Sequence, residues 1–122
     1  MRNTLIVATG LAIALSAGLA QAQTAPTDPR SCAIRFTAVR NMFSYDFQNA
    51  KSLATSKAYG ERAKAVLVKA GLMAAPAADL PKDISEAGAA WNKSFLSNVI
   101  TASQVEREVR ACDAAHGFPS LV

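Results

Sequence analysis

Two cysteines, one histidine and nine scattered carboxylates are the chain's main means of side-chain chemistry. Cys112, Asp113 and His116 share the end of one helical pattern. A histidine four residues after a cysteine can lower the thiol pKa and make a nucleophile. The competing reading joins Cys112 to Cys32 and leaves His116 to the negative end of the helix dipole. Asp46, between Phe43 and Phe47, is the one carboxylate close to an apolar stripe. It reads as the partner of an Arg or Lys on a neighbouring helix, or as a ligand-contacting group.

Other chemistries are excluded by what is missing. One histidine and two cysteines fall short of the recurring ligand spacings of a zinc site. Cys-x-x-Cys-His does not occur, which removes covalently attached haem. A haem held by Met42 and His116 fails on length: Met42 lies ten residues, about 15 Å, along its helix from Cys32, while His116 lies about 6 Å beyond Cys112 in the opposite sense. Neither Gly-x-Ser-x-Gly nor a Gly-rich phosphate loop is present. The expectation is therefore no catalytic residues, no metal and no cofactor.

These residues sit on a run of helical patterns. From Asp28 (N-cap) and Pro29 (first helical position) to Ala54, one long helix is expected. Cys32, Phe36, Val39, Phe43, Phe47, Ala50 and Ala54 recur along it at spacings of three and four. A second stripe, Ile34, Ala38, Met42 and Tyr45, widens the apolar arc; it reads either as contact with a second neighbour or as a candidate partner-binding or dimer face. The second helix is expected over 56–70, with Tyr59, Ala63, Val66, Leu67 and Ala70 inward and Lys57, Glu61, Arg62, Lys64 and Lys69 outward. Gly60 marks a break from the first helix, and Gly71 a C-terminal cap with Leu72 folding back. An Ala/Pro linker runs to Leu80.

Pro81 opens a third helix to about Ile100, with Ile84, Ala87, Gly88, Trp91, Phe95 and Val99 on its face. Gly88 would let a neighbour approach closely. Ser103-Gln104-Val105-Glu106 reads as a capping box. The fourth helix carries Val105, Val109, Cys112 and His116, and stops at Gly117-Phe118-Pro119. Nothing reads as a strand. The expected fold is all-α: a small up-down four-helix bundle stapled by Cys32–Cys112, since the start of helix one and the end of helix four share one end of such a bundle.

Met1 to Ala22 reads as a cleaved signal peptide: a short basic start, an apolar run from Leu5 to Leu19, and Ala20-Gln21-Ala22 at the cleavage position. Residues 23–27 form a mobile leader and 28–122 one helical domain. That pattern places the protein in the periplasm or outside the cell, where a disulfide persists. With Arg2 gone, 12 basic and 9 acidic residues leave a charge of +3. This is too weak and too scattered for a nucleic-acid partner. No membrane span remains after cleavage.

Twenty of the hundred residues after Ala22 are alanine, so the core depends on a few large side chains: Phe36, Phe43, Phe47, Leu53, Tyr59, Leu67, Trp91 and Phe95. The expected function is a non-enzymatic binding or stress-type holdase module, with a protein or peptide partner or a homodimer. The alternative is a small enzyme or enzyme inhibitor working through Asp46 or the Cys112/His116 end.

Overall fold

The computed structural model describes residues 25–122; the signal-peptide expectation lies outside the described residues. Four helices follow in order, α1 (Pro29–Ser44), α2 (Ala50–Lys69), α3 (Lys82–Leu96) and α4 (Ala102–Ala115), with no strand among the described residues. The chain is an all-α four-helix bundle with a Cys32–Cys112 disulfide.

Helix α1 starts where the sequence marks it, with Pro29 in the first turn and the Asp28 carboxylate accepting from the Ser31 amide at 3.1 Å. Ser31, through its hydroxyl and its amide, holds the Asp28 carboxyl below its ordinary range. The helix ends ten residues earlier than the apolar spacing implies. Tyr45 to Asn49 form a turn, and Asn49 caps α2 by accepting from the Ser52 amide at 3.0 Å. The stripe had continued through Phe47, Ala50 and Ala54 because their spacing keeps the helical period across the turn. Gly60, expected at a break, lies inside α2, where the stem of Arg40 packs 3.0 Å from the position of an added Cβ.

The remaining ends show how local chemistry sets boundaries. Helix α3 begins after Pro81 and stops at Leu96 instead of Ile100. Asn98 turns the chain in the left-handed region (φ 60°), and the Val99 amide bonds back to Ser94 O at 2.8 Å. Gly71 and Gly117 close α2 and α4 in the same way, the Leu72 amide reaching Leu67 O and the Phe118 amide reaching Asp113 O, both at 2.8 Å. This is the bonding of a Schellman cap. Leu72 itself stays exposed, and Met73 is the side chain that folds inward. Helix α4 is capped by Thr101, whose hydroxyl accepts from the Gln104 amide at 3.1 Å, two residues before the expected Ser103.

Helix α1 is the element against which α2, α3 and α4 all pack. Helix α3 approaches α1 closely at Gly88, where a methyl would lie 2.6 Å from Thr37 Cγ2 and 3.3 Å from the Ile34 carbonyl oxygen. The core centres on Phe36, Val39, Tyr59, Leu67, Ile84 and Val109, all buried, with Phe36 stacked at 5.5 Å on Tyr59. After α4, residues 118–122 return along the bundle. Phe118 packs edge-on to Phe36 at 6.0 Å, and Val122 O accepts from Arg110 Nε at 2.8 Å. Two expected core residues are not in the core: Phe47 is 67% exposed and Leu53 42%.

The bundle runs up, down, up, down. At one end Cys32 of α1 meets Cys112 of α4, Cα to Cα 5.4 Å, and Arg30 of α1 pairs with Asp83 of α3. At the other end Tyr45, just past α1, accepts from the Asn92 amide of α3 at 3.3 Å.

Candidate functional site: an apolar groove at the end away from the disulfide

Each residue singled out for chemistry now has a place. Both cysteine sulfurs are in the disulfide and fully buried, and no free cysteine exists among the described residues. The thiol nucleophile at Cys112 is therefore ruled out. His116 is the residue after α4, and its Nε2 lies 2.8 Å from Thr27 O. A carbonyl only accepts, so Nε2 carries the proton. That contact, with the Pro26 carbonyl 3.5 Å from Cys112 Sγ, seats the end of the leader against the bridge, where mobility had been expected.

Asp46 is exposed in the α1–α2 turn and accepts from Ser52 Oγ in the first turn of α2 at 2.9 Å, with no Arg or Lys among the described residues within ion-pair distance. No group of three or more His, Cys, Asp or Glu residues among the described residues could hold a metal ion.

Buried charge lies elsewhere, at residues that sorted as surface by type. Asp113 is 1% exposed; it accepts from Tyr59 Oη at 2.9 Å and from Arg62 Nη1 at 2.7 Å. Arg62, expected on the outer face of its helix, lies over the rings of Tyr59 and Phe118 at 4.9 and 5.0 Å and also donates to Pro119 O. Burial pushes the Asp113 carboxyl up, with the Tyr59 hydroxyl and the Arg62 guanidinium pulling the other way. Burial, followed by the bond to Asp113, pushes Tyr59 up to about 12. A second pair joins α1 to α4: Arg35 donates to Glu108 through Nε (2.9 Å) and Nη2 (2.6 Å), with Gln104 on the other carboxylate oxygen and Trp91 beside the guanidinium at 5.2 Å. Every polar atom in these two clusters that is sealed from solvent has a partner. They join helices.

The expected partner face is divided. Ala38 is fully buried, Ile34 and Met42 are partly buried against the core, and Tyr45 is 63% exposed. Helix α3 crosses α1 at Gly88, beside Ile34, and takes up the lower half of the stripe.

Of the four, Met42 lines a groove of about 320 Å³. Val39, Met42 and Phe43 of α1 form one wall, Phe95 of α3 another, and Ala102 and Val105 of α4 a third, with Val122 closing the lower side and Glu106 at the rim. A shallower depression shares Phe95 and Ala102 and extends the apolar surface to Leu96 and Ile100. The groove is built by three helices and the tail, with Val122 as the tail's contribution to its lining. Sequence patterning assigned Phe95 and Val105 to core faces but had no means of placing the tail. Apolar walls with one charged group at the edge suit an apolar segment or a small apolar ligand, and the size is at the low end of ligand pockets, about 300–1,000 Å³.

No family model, curated protein or solved structure matches the chain. No helix among the described residues is long and apolar enough to cross a membrane, and the disulfide is compatible with export.

Proposed function

We propose that this protein is an exported, non-enzymatic binding module of the periplasm or extracellular space. In this reading it shields an apolar segment of a partner protein or peptide in the groove between α1, α3 and α4. The observation that carries it is the groove itself: an open apolar site in a bundle whose buried polar residues are committed to holding helices together. Export is supported by the signal-like pattern of residues 1–22 and by a disulfide of a kind that persists in oxidising compartments. A holdase role follows from the same chemistry. Apolar walls with a single charged group at the edge bind mainly by burial and set little sequence specificity. With Cys112 bridged, the thiolate route to an enzyme is closed.

The test uses the oxidised protein and a leucine- and phenylalanine-rich peptide as probe. Amide chemical shifts of Met42, Phe43, Phe95 and Val105 are expected to move together and saturate, and the protein is expected to suppress aggregation of a urea-unfolded client on dilution. Perturbations confined to other faces, together with unchanged client aggregation, would overturn the proposal.

A further inference from the structure

The groove shares its end of the molecule with the four most exposed of the large apolar side chains. Tyr45 and Phe47, in the α1–α2 turn, are 63% and 67% exposed; Leu96 and Val99, where α3 turns into α4, are 58% and 74% exposed. Both turns lie at the end away from the disulfide, where Tyr45 accepts a hydrogen bond from Asn92 of α3. Whole aromatic side chains bury about 150–250 Å², and whole aliphatic ones roughly 60–120 Å² by their transfer energies. At the exposures observed, the four together present roughly 300–500 Å² of side-chain surface. A standard interface needs about 800 Å² per partner. The four side chains supply about half of that, and the groove walls and the polar rims of both turns are available for the rest.

We infer that a second copy of this chain covers this end, two copies meeting about a two-fold axis with the Phe47 side chain of each seated in the groove of the other. The inference rests on the groove being a binding site, as proposed above, and names its resident occupant. A two-fold interface must be self-complementary, the same patch meeting itself. This end provides both halves of such a match: a projecting aromatic in a turn free of helix packing, and an apolar groove with room for one aromatic side chain. The disulfide end lacks the projecting aromatic: Leu72 is exposed there, but Tyr59 is buried and Phe118 is packed on Phe36. Dimerisation and capture of an apolar segment then use one surface and exclude each other, so binding of either weakens the other by the same factor. The dimer is the stored form, and the monomer is the form that binds.

Analytical ultracentrifugation of the oxidised protein over a wide concentration range tests this. A monomer–dimer equilibrium is expected. Phe47→Asp and, independently, Val99→Asp should weaken it at least about 30-fold, the effect of one interface hot spot, with helicity and the disulfide unchanged. Leu72→Asp, exposed at the opposite end, should leave it as it was. Adding the leucine- and phenylalanine-rich peptide should shift dimer to monomer. A monomer at every concentration overturns the inference while leaving peptide binding to decide the groove separately. So does a dimer indifferent to both aspartates or broken by Leu72→Asp, and so does peptide bound to an intact dimer.

Discussion

The two ends of this bundle are held in opposite ways. At one end a disulfide, the Tyr59–Asp113–Arg62 cluster, the Arg35–Glu108 pair and the His116 contact to Thr27 tie α1, α2, α4, the leader and the tail together. At the other end the ties are single side-chain hydrogen bonds, among them the 3.3 Å bond from Asn92 of α3 to Tyr45 in the α1–α2 turn, and the Asn92 Oδ1 is the single buried side-chain polar atom without a partner among the described residues. The apolar residues follow the same division: Phe36, Tyr59 and Val109 are sealed, whereas Phe47 and Val99 stand in solvent. Concentrating covalent and ionic ties at one end leaves the other free to keep an apolar surface open without unfolding the bundle.

The largest effect is expected from removing the bridge. Closing a loop of 80 residues contributes about 4–5 kcal/mol on the chain-entropy model. Cys112→Ser should lose most of that, with α4 the first element released, because α4 touches α1 far less than α2 or α3 does. Hydrogen exchange on the variant checks it: α4 amides should lose protection before those of α2. Equal loss across all helices would contradict the division between ends. Next comes Asp113→Ala, which leaves the Arg62 guanidinium buried without its carboxylate. Breaking such a pair costs about 3–5 kcal/mol. Asp113→Asn, which can still accept from Tyr59 and Arg62, should recover part of the loss in urea titrations.

A smaller and reversible effect comes from pH. In the unfolded chain Tyr59 ionises near 10, and in the fold at about 12. Between those values the unfolded state releases a proton that the folded state keeps, so stability is full below 10 and falls as pH rises towards 12. Tyr59→Phe should flatten that alkaline decline. In a Tyr45→Phe background, where Tyr59 is the remaining tyrosine, tyrosinate absorbance of the folded protein should rise near 12. A rise near 10 would show that the cluster is not sealed.

Much of the tied end could be read from residue types and periodicity. Cys32, Phe36 and Val39 announce a buried stripe, both Gly caps fall where expected, and the two cysteines meet by bundle topology. What stayed hidden depends on distant partners. Arg62, Glu108 and Asp113 sort with the surface because each is charged; pairing across 51 residues (Arg62–Asp113) and 73 residues (Arg35–Glu108) puts them inside. The open end was misread for a different reason. Phe47, Ala50 and Ala54 keep a helical spacing through a turn containing neither Gly nor Pro, and the signal that breaks it is Asn49, an N-cap side chain. The groove was illegible altogether, since four separate segments build it and one of them is the end of the returning tail.

The smallest effect on stability should come from the most conspicuous residue. Phe47 is the most exposed aromatic side chain in the α1–α2 turn, yet nothing in the core rests on it. Phe47→Ser should therefore change the unfolding free energy by no more than about 0.5 kcal/mol, as for ordinary surface sites, and should raise solubility by removing exposed aromatic area. The same substitution should abolish concentration-dependent association. A large apolar residue that contributes nothing to folding and is kept in solvent by a turn has no structural reason to be aromatic, and a partner surface supplies one. If Phe47→Ser instead lowers stability by several kcal/mol, the open end contributes to the fold after all, and the contrast between the two ends collapses.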